Sequence, residues 1–437
     1  MQKNNSKTIQ AWAMYDWANS VYSLVITTAI FPGYFYAMSG GKNAVVQIFG
    51  ANIANTVLYT WALSIAFLFV ACINPILSSL ADMGGNKKKF MQFFCFLGSA
   101  SCASLFFFTK DSLFFGVSMF IMAGIGWAGS LVFYNSFLPE IATEDKFDKV
   151  SAKGFSLGYI GSVILLVINL MMVQLWQTIG FETQGMAVRY SFLMVGVWWF
   201  GFSLITFRVL PSKTTVISAL KNNILKDAKL KFSNVWNEVK QLPLLKKFLL
   251  SFLFYSMGVQ TVMYVATLFG EDVVGMKQDQ LITLVLILQL VAVVGAYLFS
   301  KISEVNGNIY AIKISVLAWT LICICAFLME KGMVIQFYTL GVFVGMMMGA
   351  IQSMSRSTYA KLIPKETTNT ASYFSFYETI EKFSVSVGAL VFGLINALTG
   401  SMHYSALALG IFFILGFVFI YKIPSLQIYN TSLKNEN

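Results

Sequence analysis

Between two apolar stretches the chain reads Ser78-Ser-Leu-Ala-Asp82-Met-Gly-Gly85-Asn86. After an offset of 222 residues, again between two apolar stretches, it reads Ser300-Lys-Ile-Ser-Glu304-Val-Asn-Gly307-Asn308. Serine, branched aliphatic, acid, glycine and asparagine correspond in order. A weaker echo accompanies the pair: Tyr134 stands five residues before Pro139, and Tyr359 five before Pro364. Like segments at a near-constant offset are the mark of an internal repeat, so the chain reads as a duplicated unit.

The stretches flanking these loops are long enough to cross a bilayer, which takes about 20 apolar residues. Twelve can be marked, at 11–35, 56–80, 90–109, 113–138, 154–175, 190–207, 248–269, 281–299, 309–329, 333–354, 373–398 and 404–421. The whole chain is 57% apolar and only 11% charged. Of its charged residues, only Asp16, Lys313, Glu378, Glu381 and Lys382 fall inside the stretches. That partition excludes a water-soluble globule and is what hydrocarbon demands, because it offers no partner to a charge or a free backbone group. It also excludes a β-barrel, whose strands alternate apolar and polar residues. The expected fold is an all-α integral membrane protein with twelve transmembrane helices arranged as two six-helix pseudo-repeats. Its expected parts are a bundle at 1–207, a linker at 208–247 and a second bundle at 248–437. Parallel repeats of this kind are a transporter architecture, with the substrate site at the repeat interface.

Charge sets the orientation. On an alternating thread, 24 of the 30 basic residues fall on the side of the termini and the central linker. The positive-inside rule makes that side cytoplasmic, so the +11 net charge is a topology signal and no argument for nucleic acid. In the linker Ile217, Leu220, Ile224, Val235, Val239 and Leu242 recur at helical spacing among lysines. This suits either an amphipathic helix on the cytoplasmic membrane face or a solvated basic linker. The polar first ten residues run into the first helix without a small-residue cleavage site, so no removable signal peptide is expected. Cys72, Cys95, Cys102, Cys323 and Cys325 all lie in apolar stretches and are odd in number, which suggests no disulfide framework. With His403 the single histidine, no metal and no cofactor are expected.

The acid-x-x-Gly loops have a physical logic. Glycine permits a tight turn with positive φ, and a carboxylate at a helix end can dock on the positive N-terminus of another helix. Asp82 with Gly85 would face the start of helix 11, and Glu304 with Gly307 the start of helix 5, closing a cytoplasmic gate. An ordinary charged turn is the competing reading.

The loops and the six-plus-six layout resemble the major facilitator superfamily. Trp12-Ala-Met-Tyr15-Asp16-Trp17-Ala-Asn19-Ser20 resembles the helix-1 signature of the "unknown major facilitator" family, which is similar to the fungal autophagy-related vacuolar effluxers. Lys153-Gly-Phe-Ser-Leu-Gly158-Tyr159-Ile-Gly161 and Gln352-Ser-Met-Ser355-Arg356-Ser357 add to the resemblance. Ser78 and Ser300 depart from the glycine that usually opens the superfamily loop, and Asn86 and Asn308 from its basic residue. The resemblance implies transport of a small solute, with amino-acid efflux known for vacuolar relatives.

A charge at bilayer depth costs about 2.5–3.5 kcal/mol on the lenient insertion scale, so it persists where it is paired, hydrated or used. Asp16 in helix 1 and Glu378, Glu381 and Lys382 in helix 11 lie one to three turns from the cytoplasmic ends. Glu378 and Lys382 have the i,i+4 order that favours an ion pair. Asp16 and Glu381 lack a partner at that spacing. Desolvation favours the protonated carboxyl, so Asp16, Glu381 and Glu378 are the proton-coupling candidates. For Asp16 a structural role, held by Tyr15 and flanked by Trp12 and Trp17, is the alternative. Tyr15, Asn19 and Tyr22 on helix 1, Gln260 and Tyr264 on helix 7, and Gln352 on helix 10 are candidates for the substrate cavity. Arg356 suits a gate with Glu378 or Glu381, and Lys382 joins that gate; an anionic substrate and the positive-inside rule are the other readings for Arg356.

No clustered nucleophile and base and no phosphate-binding glycine loop accompanies these residues, so the sequence does not read as an enzyme. The expected function is secondary active transport by alternating access, open to proton coupling. A uniporter, or a sensor or scaffold on a transporter fold, is the alternative. The expected partners are a small-molecule substrate, the lipid bilayer and protons, and the expected state is a monomer in the cytoplasmic membrane.

Overall fold

The computed structural model describes residues 2–42, 44–48, 50–84, 86–212 and 224–424. Among them are twelve helices long and apolar enough to cross a membrane. Spans 1 to 6 are Ser6–Met38, Asn55–Gly84, Lys87–Phe107, Lys110–Ile141, Glu144–Gln174 and Gln184–Val209. Spans 7 to 12 are Pro243–Val274, Gln278–Asn306, Asn308–Phe327, Val334–Leu362, Thr370–Thr399 and Met402–Tyr421. Each of the twelve apolar stretches has one counterpart. The chain is therefore a multi-pass membrane protein, and its apolar exposure agrees: Leu390, Leu394 and Leu398 of span 11, four residues apart, are 72%, 60% and 77% exposed. Such a stripe suits lipid.

Two small differences from the sequence reading stand out. Between spans 1 and 2 the chain forms an antiparallel hairpin, β1 (Val45–Ile48) with β2 (Ala51–Ala54), Val46 opposite Ile53. In the linker Ile217 and Leu220 lie outside the described residues, but Ile224–Gln241 is one helix. Its Val235 and Val239 are buried. Phe232 and Trp236 stack on Phe376 with ring centroids 5.0 and 5.4 Å apart, and Tyr373 donates a hydrogen bond of 2.7 Å to Glu238. The apolar face is thus partly used on the first turns of span 11.

The contacts group the described residues into two compact units. The N-terminal unit draws on Ser6–Asn135 and Leu157–Ala228. The C-terminal unit draws on Met1–Asn5, Ser136–Ser156 and Lys229–Asn437. The turn between spans 4 and 5, with the first turns of span 5, therefore belongs to the C-terminal unit. Asn4 ties into it as well, donating from its backbone to the Ile141 carbonyl and from its side chain to Thr143, each at 2.8 Å.

In the N-terminal unit span 1 is the axis. Thr206 donates to the Ala11 carbonyl (2.6 Å) and Trp198 to that of Trp17 (3.3 Å). Gly158 and Gly161 bring span 5 against it: a Cβ at Gly161 would lie 2.8 Å from the Trp17 carbonyl oxygen. In the C-terminal unit the tightest approach is between spans 8 and 10. A Cβ at Gly349 would lie 1.9 Å from the Ala292 carbonyl oxygen, one at Gly295 2.0 Å from that of Met346, and one at Gly345 2.5 Å from that of Leu288. Lipid tails are as apolar as leucine, so helix association rests on such close backbone contact. Gly349→Ala is expected to destabilise the detergent-purified protein by about 1–3 kcal/mol. Gly393→Ala, where no atom lies within 4 Å of the added Cβ, serves as the control, and thermal melting of both variants checks the difference.

Candidate functional site

Among the described residues, clusters of polar side chains interrupt the apolar interior. The first is in the N-terminal unit. Asp16 is buried and accepts a 2.7 Å hydrogen bond from the Tyr134 hydroxyl. Tyr134 is itself fixed by Trp12, whose indole donates to the Tyr134 carbonyl (2.9 Å) and stacks on its ring at 4.5 Å. Tyr15, which the structural alternative set beside Asp16, packs its ring on Tyr134 and Phe207. Tyr134 thus enters the site, although the sequence marked it only as an echo of Tyr359. Tyr22 and Asn19 are buried. The Asn19 amide nitrogen has no hydrogen-bond partner among the described residues, and Tyr22 lies against Trp127 and Trp199.

The second cluster is in the C-terminal unit. Lys382 lies 3.3 Å from Glu378 and 2.9 Å from Glu381, so one ammonium serves two carboxylates. Gln260 of span 7 donates to the other oxygen of Glu381 at 2.7 Å. Glu381 therefore has two partners where the i,i+4 rule predicted none. Glu378 and Lys382 are 1% and 3% exposed at their side chains and Glu381 19%. Tyr264 is half-buried on the same span as Gln260, and Gln352 donates to the Met263 sulfur at 3.2 Å. Lys382, grouped with the gate in the sequence reading, belongs to this cluster inside span 11.

The third cluster joins the start of span 5 to spans 8, 9 and 10. Asp148 is 2% exposed. It accepts from Ser303 (2.9 Å), from Asn308 (2.5 Å) and from the Lys361 ammonium (2.7 Å), which also donates to Asn308 at 2.6 Å. One turn on, the Arg356 guanidinium donates to the Ser151 hydroxyl (3.0 Å) and carbonyl (2.8 Å) and lies 4.0 Å above the Phe155 ring. Ser151 in turn donates to the Ser353 carbonyl at 2.8 Å. Nearer the surface, Lys365 meets Glu144 at 2.8 Å.

The loop of the second repeat does reach the start of span 5, but through the neutral side chains of Ser303 and Asn308. Glu304 is exposed, and the carboxylate comes from span 5, as Asp148. Gly307 adopts φ 87°, and its backbone N–H caps the Ser303 carbonyl at 2.8 Å, so a single residue turns the chain from span 8 into span 9. Asp82 is half-buried at the end of span 2, and Gly85 lies outside the described residues. Asp148 was hidden because it stands outside the apolar stretches, in a loop of mixed charge with Glu144, Asp145, Lys146 and Lys149, where only the basic residues were counted. Removing one partner of a buried ion pair costs about 3–5 kcal/mol. Asp148→Ala is expected to lower stability by that order, with part recovered by adding Lys361→Met, while Glu304→Gln stays within about 0.5 kcal/mol; a melting double-mutant cycle checks this.

Comparison with known proteins agrees with the architecture. A family model described as "Vacuole effluxer Atg22 like" matches residues 4–427. YxiO of Bacillus subtilis, an uncharacterised MFS-type transporter, is 31% identical over 429 residues, 97% of this chain and 96% of its own. Autophagy-related protein 22-1 of Aspergillus clavatus is 24% identical over 484 residues, 90% of this chain and 77% of its own. Among solved structures, the human organic anion transporter MFSD10 matches with a TM-score of 0.70 at 13% identity, over 95% of this chain and 98% of that one. The proton:xylose symporter XylE matches with 0.69 at 13%, over 96% and 95%. These two share the fold. With a family match across almost its full length, the chain belongs to the Atg22-like vacuole effluxer family and is a transporter of the major facilitator superfamily.

Proposed function

We propose that this transporter moves a small zwitterionic solute, an amino acid or a close analogue, out of the cell by alternating access, in exchange for protons. The observation that carries the reading is the sharing of Lys382 between Glu378 and Glu381. Two carboxylates stand around one ammonium, and a carboxylate charge at bilayer depth has to be neutralised. A proton on a carboxyl does this, and so does the ammonium group of a substrate. The two compete for one charge, which is the requirement for coupled exchange. Glu381, the more exposed acid, is the proton acceptor in this reading. Gln260 positions it, and Asp16 with Tyr134 is a second carboxyl able to take up a proton. In the C-terminal unit Tyr264 and Gln352 supply further substrate contacts in this reading; in the N-terminal unit Tyr15, Asn19 and Tyr22 are the candidates.

The same reading sets the protein in the cytoplasmic membrane as a monomer. Both termini are cytoplasmic, and six-helix halves at 1–207 and 248–437 are joined by the basic segment 208–247. The distribution of lysine and arginine supports this orientation, and the B. subtilis relative supports a cell membrane. The Asp148 cluster and Arg356 then lie at the cytoplasmic ends of spans 5, 8, 9 and 10, where they act as a gate.

A thermal-shift screen of amino acids, peptides, sugars and nucleosides on purified protein is expected to return amino acids. In liposomes, Glu381→Gln is expected to cut flux driven by a pH gradient at least tenfold while leaving saturable counterflow. Full gradient-driven flux in both Glu381→Gln and Asp16→Asn would refute proton coupling. Absence of saturable counterflow for every solute would point to a sensor or scaffold.

A further inference from the structure

Span 1 is not one continuous α-helix. It is α-helical over Ser6–Val21, π-helical over Tyr22–Ile30 and α-helical again over Phe31–Met38. π-Helix normally appears as single-turn bulges, often at functional positions, so nine consecutive residues need a cause. The sequence holds one at Pro32. Proline has no N–H to donate, and in the i→i+5 pattern its partner would have been the carbonyl of Thr27. That carbonyl is met from another span, by the Tyr59 hydroxyl of span 2 at 2.7 Å. Within the segment, the Thr27 and Thr28 hydroxyls both donate to the Ser23 carbonyl (2.5 and 2.8 Å), and Ser23 donates to that of Ser20 (3.0 Å). Side chains thus supply the bonds that keep a non-α backbone viable at membrane depth.

The two flanking α segments are clamped separately. The inner one is held at Trp12 and Asp16 by Tyr134. In the outer one, Phe31 stacks on Phe120 at 4.5 Å, and Tyr34 donates to the Phe108 carbonyl at 2.9 Å. Packed elements have discrete arrangements and do not deform continuously, so a motion of the inner segment against the outer one has to be absorbed between them.

We propose that Tyr22–Ile30 is the hinge of span 1. It works by exchange between π and α hydrogen-bond registers, and Pro32 with the Tyr59-to-Thr27 bond holds the π register. Changing from i→i+5 to i→i+4 bonding rotates the Asp16-bearing segment relative to Phe31–Met38. Tyr59 is a positioning residue: it touches the backbone of span 1 and sets the register. The inference requires only that span 1 moves, and it stands or falls independently of the solute and of proton coupling.

Hydrogen exchange followed by mass spectrometry, on the full-length protein in lipid nanodiscs without added solute, tests it. Amides of residues 22–31 are expected to exchange at least tenfold faster than those of 8–20 and 33–37. Pro32→Ala, which restores an N–H, is expected to slow residues 22–31 severalfold toward the flanking rate. Tyr59→Phe keeps the ring and removes the hydroxyl, leaving the Thr27 carbonyl to the Phe31 N–H in the α register, and is expected to slow them in the same direction. Exchange of 22–31 at the flanking rate in the unmodified protein overturns the proposal whatever the variants do. So does an unchanged rate in both variants when they elute as monodisperse protein.

Discussion

In hydrocarbon a charge or an open backbone carbonyl has only the rest of the protein to turn to, and the polar architecture of this transporter follows from that scarcity. Asp148 shows the constraint most fully: its carboxylate is out of reach of solvent and is met by a hydroxyl, an amide and an ammonium from spans 8, 9 and 10. Asp16 meets it with the Tyr134 hydroxyl, and Glu381 with Lys382 and Gln260. The Thr27 carbonyl, left open by Pro32, meets it with Tyr59. Apart from Lys382, the sequence neighbour of Glu381, each of these partners comes from a different segment of the chain.

The same constraint sets what a movement of one helix would cost. A satisfied buried polar group is stable only in the arrangement that satisfies it, so moving one helix exposes a cost that another arrangement has to offset. Lys382, shared by two acids, is the plainest case because its own surroundings already hold two ways of pairing. The apolar remainder does a different task. Leucines at 390, 394 and 398 face outward, while glycines at 295, 345 and 349 let spans 8 and 10 meet at backbone distance. Association here depends on shape, since water is not being expelled.

Much of this was legible before any coordinates. Twelve apolar stretches announce twelve spans because the bilayer imposes a length and a composition on each one separately. The repeated loops at Asp82 and Glu304 announce duplication, and the block from Trp12 to Ser20 the family. The sequence reading set Glu304 against the start of span 5; in the structure Ser303 and Asn308 of that loop meet Asp148 there. Glu304 is exposed, while Asn308, noted only as a departure from a basic residue, donates to Asp148. Gly345-Met-Met-Met-Gly349 passed unremarked, because small residues four apart occur in many apolar helices and only the facing carbonyls of Leu288 and Ala292 give them a role.

What the sequence by itself determined, then, is everything a segment settles alone: which residues enter the membrane, how many times, and which charges are too costly to be incidental. Only the tertiary structure decided which partner each costly group takes. Spacing along one helix predicts neighbours at i+4, as it did for Glu378 and Lys382. It cannot foresee that Asp16 meets Tyr134 across 118 positions or Asp148 meets Lys361 across 213. The bilayer acts on residues one at a time, whereas satisfaction of a buried charge is a property of several helices together.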